Sequence, residues 1–344
     1  MDRIILHIGT EKTGTTSIQH ALAHDRDALA ARGFLFPQLF GSENHMEIAV
    51  YAADDGQQME LRLHELDKAK CDLPEYRARL RQKLADEVAA SACHTMIISN
   101  EHCHSRLLTP SAIQRLKDLL TPFCPNIEVQ VYLRRQDQLA VSLHSTRLKL
   151  GGEGPIFPDT APALPLYFAF DKLLQRYGQF FGLENLSVRL FEPACLAGGD
   201  IVTDFYARAG IDLPKPALPK ANESLSAKQG RFLEEFNRRF PLVVDNAINP
   251  QRGPIFSVIS KVGQSAPYRP ARPRAQAFHA AFAEGNAWVR DTFFADQDRP
   301  TLFDESFDSY PETADDVALT PEETFEFVDA IWRYTRWLGR QQTS

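Results

Sequence analysis

The chain has 344 residues, of which 44% are hydrophobic and 24% charged, with 18 Gly and 22 Pro. That is the composition of a globular protein with an apolar interior, and it excludes a disordered, collagenous or coiled-coil chain. Lys and Arg number 38 against 45 Asp and Glu, a formal charge of −7, so no global positive field exists to hold long nucleic acid and any polyanion must meet a local patch.

The elements follow in chain order. Residues 3–8 form a short apolar run that stops at Gly9, and a helical pattern covers 15–32. Further strand runs lie at 95–99, 128–133 and 186–191, flanked by helical patterns at 74–91, 111–121, 137–150, 167–181 and 199–209. This alternation predicts an α/β fold with a P-loop-like, mostly parallel sheet flanked by helices. Strand signals become sparse after about residue 195, where helical patterns cover 224–239, 276–294 and 321–338. The expectation is one domain over 1–344: an α/β core over about 1–210 and a helical C-terminal elaboration over about 211–344.

Gly151 and Gly210 stand just past helical patterns, where a left-handed residue suits glycine. Thr320, Pro321 and Glu323 mark a helix start. Pro/Gly-rich loops are expected at 151–165, 213–219 and 265–274, the first long enough to serve as an acceptor lid.

Five scattered cysteines, Cys71, Cys93, Cys103, Cys124 and Cys195, contain no C-x-x-C pair. They indicate a reducing compartment and neither a disulfide framework nor a zinc ribbon. No apolar run reaches the roughly 18 residues of a membrane span, and no charged n-region with an apolar h-region opens the chain. A cytoplasmic protein without a transmembrane segment is expected; its oligomeric state is not legible.

The strongest chemical signal is Gly9-Thr10-Glu11-Lys12-Thr13-Gly14-Thr15-Thr16-Ser17, where a strand hands over to a helix. Backbone amides of such a loop, the helix N-terminus, the hydroxyls of Thr15, Thr16 and Ser17, and the Lys12 ammonium together suit an anion. The spacing departs from the triphosphate loop G-x-x-x-x-G-K-[ST]: threonine occupies the lysine position, and the lysine stands two residues before the second glycine. That weakens an ATPase or kinase reading and leaves the anion site intact.

The run HIGTEKTGTTSIQ resembles the 5′-phosphosulfate loop of sulfotransferases that use 3′-phosphoadenosine 5′-phosphosulfate (PAPS), in particular the bacterial branch whose loop reads K-T-G-T-T-S. The resemblance implies that Lys12, Thr13, Gly14, Thr15, Thr16 and Ser17 bind the 5′-phosphate and that Lys12 also touches the bridging oxygen of the leaving group. A second match lies at 131–142, where Arg134 and Ser142 stand eight residues apart, the interval of the family's 3′-phosphate motif. An arginine fork takes two phosphate oxygens and a serine about two turns later donates to a third; Arg135 replaces Arg134 if the register differs by one. Weaker likeness extends to Val188–Glu192.

Sulfuryl transfer to a hydroxyl or amine requires in-line positioning, neutralisation of the departing oxygen and a base for the acceptor's proton. The family uses Glu or His. The segment Ile97-Ile98-Ser99-Asn100-Glu101-His102-Cys103-His104 offers Glu101 first, with His102 and His104 as competitors because imidazole titrates near neutrality. Glu43-Asn44-His45 supplies a rival, His45. The His-Cys-His triplet lacks the spacing of standard zinc sites, so no metal is assigned. Lys261, Arg269, Arg272 and Arg274 form a late basic loop whose match to the family is compositional.

The reading is a PAPS-dependent sulfotransferase acting on a saccharide, lipid headgroup or small-molecule acceptor, with no metal required. A P-loop nucleotide or small-molecule kinase and a non-catalytic nucleotide- or anion-binding protein are the alternatives.

Overall fold

The computed structural model describes residues 1–41, 43–218, 225–244, 247–313 and 318–341. Its strands are β1 (Arg3–His7), β2 (Phe34–Leu35), β3 (Thr95–Ser99), β4 (Ile127–Leu133) and β5 (Leu186–Leu190), with a two-residue pair β6 (Val243–Val244) and β7 (Ala247–Ile248). Helices α1 (Thr15–His24), α2 (Arg26–Ala30), α3 (Met46–Ala52), α4 (Glu60–Ala69), α5 (Leu73–Ala90), α6 (His102–Arg106) and α7 (Pro110–Leu120) precede β4. Then come α8 (Gln136–Lys149), α9 (Phe170–Phe181), α10 (Ile201–Ala209), α11 (Ala227–Arg239), α12 (Ile255–Ile259), α13 (Arg272–Ala280), α14 (Ala283–Phe293) and α15 (Pro321–Gln341).

Strands β1 to β5 form one sheet in the order β2-β3-β1-β4-β5, and every neighbouring pair is parallel. β1 lies between β3 and β4, in register from Arg3↔Thr95 to His7↔Ser99 on one side and from Ile4↔Ile127 to His7↔Gln130 on the other. Its run of Ile4, Ile5 and Leu6 is fully buried, as a central parallel strand covered on both faces requires. The loops after β1, β3 and β4 therefore leave the same edge side by side. In open α/β sheets that edge, where the strand order reverses, is where ligands bind.

The chain divides into two compact units. The sheet unit comprises Met1–Arg135, Pro165–Ala221 and Ala283–Phe303. Its core joins Ile5, Ile18, Leu22, Ile97, Tyr132 and Phe205, which seats α1 and α10 against the sheet. The helical unit comprises Gln136–Leu164, Asn222–Phe282 and Asp304–Ser344. It closes around Leu148, Leu225, Leu233, Ile255, Ile259 and Phe327.

The expected α/β class is thus observed, and the four apolar runs are its four longest strands. Two expected helices are each split. The 15–32 pattern breaks at Asp25, whose carboxylate accepts from the Tyr206 hydroxyl at 2.8 Å, and the 276–294 pattern breaks between α13 and α14. Gly210 caps α10 with φ 79°, and Gly151 has φ 89°. At Thr320 the expected start forms a reciprocal cap, Glu323 N to Thr320 Oγ1 at 3.2 Å and Thr320 N to Glu323 Oε2 at 2.9 Å. The loop expected at 265–274 ends earlier, because α13 begins at Arg272 with Pro273 in its first turn. Residue 219 of the 213–219 loop lies outside the described residues. Among the described residues no helix is long and apolar enough to cross a membrane.

Candidate functional site

The loop after β1 is fixed by backbone geometry before any side chain acts. Gly9 has φ 101°, and a Cβ there would lie 3.0 Å from Glu11 N and 3.2 Å from the Cα and Cβ of Glu101. Tyr132 N donates to Gly9 O at 2.7 Å, and Thr10 donates to Tyr132 O through both N and Oγ1 at 3.0 Å, which pins the loop to β4. The Thr13 hydroxyl donates to Thr10 O at 2.6 Å, so Thr13 shapes the loop with its side chain.

Lys12 (φ 64°) and Gly14 (φ 77°) are both left-handed, a turn pattern that aims successive amides into a concavity. A Cβ on Gly14 would meet Ile201 at 3.0 Å and Phe191 at 3.4 Å, so glycine is required there on two grounds. Gly14 is also the N-cap of α1, and no side chain caps that helix. Ser17 and Ile18 donate to Gly14 O at 2.9 and 3.2 Å. The amides of Thr15 and Thr16 precede these first helical bonds and carry the positive end of the helix dipole.

Arg134, at the end of β4, extends Nη1 to Lys12 O at 3.1 Å and lies 5.7 Å from the centroid of the Phe191 ring. Burial lowers the pKa of Lys12, Arg134 adds to that effect, and Glu11 and Glu101 oppose it.

The end of β3 supplies the acidic side. Gln19 of α1 donates through Nε2 to Glu101 Oε2 at 2.6 Å and to Ser99 Oγ at 3.3 Å, and Ser99 Oγ lies 2.8 Å from His7 Nδ1. Glu101 thus has one carboxylate oxygen anchored from α1. His102 N donates to Asn100 Oδ1 at 2.7 Å, and His102 Nδ1 lies 3.6 Å from Glu11 Oε1.

His104 is buried with both ring nitrogens engaged: Glu11 N donates to Nδ1 at 3.5 Å, and Nε2 lies 2.9 Å from Tyr167 O. Burial brings its pKa down to about 4. His45 is likewise buried, with Nε2 2.7 Å from Pro37 O and Nδ1 accepting from Ser99 N at 3.2 Å. Burial lowers its pKa to about 4 as well, which leaves both histidines neutral at pH 7. Beside it, Glu43 is exposed and pairs with His20 at 3.2 Å. Cys103 is a buried thiol whose pKa burial pushes up to about 12.

One well-connected residue of the loop was not singled out in the sequence. Glu11 accepts from the Tyr167 hydroxyl at 2.8 Å and from the Ser105 hydroxyl, with His102 facing it. Burial alone would raise its pKa, but the contacts to His102, Ser105 and Tyr167 outweigh this and hold it at about 2. A carboxylate inside an anion loop, next to Lys12, was the available signal. Its partners come from 94 and 156 residues away, a separation no local pattern reveals.

Lys12, Thr13 to Ser17, Arg134, Glu101, His102, His104 and His45 all belong to the sheet unit, whereas Ser142 lies on α8 in the helical unit. In that second unit Arg269 donates to Ser309 Oγ at 2.5 Å, and Arg272 pairs with Glu312 at 2.5 Å. Among the described residues no three His, Cys, Asp or Glu side chains are grouped to hold a metal ion.

No protein-family model matches the chain, and no curated protein matches its sequence. A crystal structure of a sulfotransferase from Alicyclobacillus acidocaldarius is similar over 84% of this chain and 95% of that one, at 15% identity and a TM-score of 0.39. At that score the likeness does not bear on chemistry.

Proposed function

We propose that this chain is a sulfotransferase that moves a sulfuryl group from PAPS to a hydroxyl or amine acceptor and releases adenosine 3′,5′-bisphosphate. The observation that carries the reading is the Arg134 guanidinium bonded to the carbonyl of Lys12 at 3.1 Å. It sets two cations and the uncapped start of α1 on one anion loop, with the Cα and Cβ of Glu101, just after β3, close to Gly9 of that loop. A dianionic phosphoryl group suits such a site.

In this reading Lys12, Gly14, Thr15, Thr16 and Ser17 bind the 5′-phosphate, and Arg134 binds the 3′-phosphate. Lys12 neutralises the charge that develops on the bridging oxygen as its bond to sulfur breaks. Glu101 accepts the proton of the acceptor hydroxyl or amine as the new bond to sulfur forms. His45 and His104 are set aside as bases because both nitrogens of each ring are already engaged. Positive charge on the loop comes from the protein itself, so the step needs no metal. The five cysteines are all free, in keeping with a reducing, cytoplasmic setting.

A second assignment of the base has its own observation. The Glu11 carboxylate faces His102 Nδ1 at 3.6 Å, and a small approach on substrate binding closes the carboxylate–imidazole hydrogen bond that orients such a base.

Thermal-shift measurement with adenosine 3′,5′-bisphosphate, and with ATP in the presence and absence of Mg²⁺, tests the donor. Labelled sulfuryl transfer from PAPS to saccharides, lipid headgroups and small alcohols and amines tests the reaction. Stabilisation by the bisphosphate together with transfer is expected. Preference for ATP with Mg²⁺ would make the chain a kinase, and binding without transfer to any acceptor would make it a non-catalytic binding protein.

A further inference from the structure

Glutamine is costly to bury on the inner side of a helix, because its amide groups then need partners. Gln19, in the second turn of α1, is only 3% exposed. Its Nε2 donates to Glu101 Oε2 at 2.6 Å and to Ser99 Oγ at 3.3 Å, and Ser99 Oγ lies 2.8 Å from His7 Nδ1. Ser99 and His7 are fully buried and are register partners on the adjacent parallel strands β3 and β1.

These partners fix where the protons are. A carboxylate oxygen only accepts, so Gln19 turns its NH₂ group and not its carbonyl to Glu101, and its second hydrogen goes to Ser99. A hydroxyl that accepts from Gln19 has its own proton left to donate, and it donates to His7 Nδ1. His7 is therefore the neutral tautomer protonated at Nε2, in agreement with a pKa that burial brings down to about 3. Its ring stands at steep angles to those of Tyr132 and Phe205, with centroids 6.0 and 5.4 Å away. A neutral imidazole locked in the core thus sets the direction of Ser99, Ser99 sets that of Gln19, and Gln19 holds Oε2 of Glu101. Among the described residues no hydrogen bond engages Oε1 of Glu101. The same helix α1 starts at the anion loop, with Gly14 as its N-cap.

We infer that Gln19 is a positioning residue for sulfuryl transfer: it pins Oε2 of Glu101 so that Oε1 is the oxygen that takes the acceptor's proton, and α1 thereby ties the alignment of the base to the loop that holds the donor. The inference rests on the reaction and on the base proposed above. A carboxylate released from Gln19 turns toward the Lys12 ammonium, whose charge it already feels, and both groups are then lost to the reaction.

The test is steady-state transfer from PAPS by the full chain carrying Gln19→Leu or Gln19→Met, with the thermal melt and the affinity for adenosine 3′,5′-bisphosphate measured beside it. Each is expected to lower kcat about 10²-fold, the loss that goes with a 1 Å misplacement of a reacting group, while KM for PAPS and bisphosphate affinity change less than about twofold. A residue that acts only through Glu101 adds nothing to a loss already incurred there, so Gln19→Leu combined with Glu101→Gln should transfer as slowly as Glu101→Gln alone. Ser99→Ala, one bond further from the base, should lower kcat about 3–10-fold, the worth of one hydrogen bond, and keeps the test open if neither Gln19 variant folds. Wild-type kcat in a folded Gln19 variant, or in Ser99→Ala where neither folds, overturns the inference. So does a loss confined to KM, or a double variant slower than Glu101→Gln alone, which would make Gln19 a packing residue. If Glu101→Gln transfers normally, the assignment of the base falls together with this inference while the donor reading stands. If the wild-type chain transfers nothing, the sulfotransferase reading falls and takes the inference with it.

Discussion

In the sheet unit the chain gathers ionisable groups near one loop, the buried His7, His45 and His104 and the half-buried Glu11, and each has a hydroxyl or a backbone carbonyl for partner: Ser99 Oγ, Pro37 O, Tyr167 O and Ser105 Oγ in turn. In the helical unit the buried amides of Asn237 and Gln229 close backbone carbonyls, of Leu148 and Gly152 and of Val262, beside the buried His144, Arg252 and His279. There the interior is aromatic, with Phe232 against Phe327. Polar burial in the first unit braces the strand ends and the loop that follows β1, whereas in the second it ties helices together. Substitutions should therefore separate into losses of turnover and losses of stability according to the unit they strike.

The largest effect is expected of Glu101→Gln: transfer should fall about 10²–10⁴-fold while affinity for adenosine 3′,5′-bisphosphate, measured by calorimetry, is retained. If His102→Asn shows that loss and Glu101→Gln does not, the base is His102. In the other unit, Phe327→Ala should lower stability by about 3–5 kcal/mol, read from denaturant unfolding. Equal effects of that substitution on turnover and on folding at temperatures where the protein stays folded would break the contrast. Lys12→Ala should reduce transfer about 10²–10³-fold with little change in the melting temperature of the unliganded protein.

Acid should act through the sheet unit. Burial holds the folded-state pKa of His7 at about 3 and of His45 and His104 at about 4, below the unfolded value of 6.5. The unfolded chain therefore takes up protons first, and stability falls as pH drops below about 6.5, by about 2 kcal/mol per histidine on reaching pH 5. Glu11, held at about 2, adds to the loss only as pH falls from 4.5 toward that value. Unfolding midpoints at pH 7, 6 and 5 check the slope, and hydrogen exchange should place the first openings around β1 and β3. The smallest effect is expected of Ser226→Ala, which removes the side-chain half of a capping box on α11 and should cost about 1 kcal/mol in the same unfolding assay.

The parts legible in the sequence were those whose signal is local. Runs such as Ile4-Ile5-Leu6 and Met96-Ile97-Ile98 mark central strands because both their faces are covered, and the anion loop is contiguous along nine residues. β2 is two residues of edge strand, too short to leave a pattern. Helix α3 is buried over Glu47 to Ala52, so its apolar residues show no periodicity from which to infer it. The break at Asp25 and the partners of Glu11 depend on Tyr206, Ser105 and Tyr167, which only folding brings near. Ser142 could be placed by its interval from Arg134 and by nothing else.

The interleaving of the two units limits how the gene can be divided. The stretch Ala283–Phe303 returns to the sheet unit late in the chain: α14 packs on α9, Phe303 lies 6.2 Å from Phe170, and Arg299 Nη2 donates to Glu192 at 3.2 Å. A fragment ending after α10 would keep the whole anion loop yet lack one of its own walls. Complementation by two separately expressed halves would then need the late stretch supplied in trans, and an internal deletion joining residues 221 and 283 would still carry residues 136–164 of the helical unit.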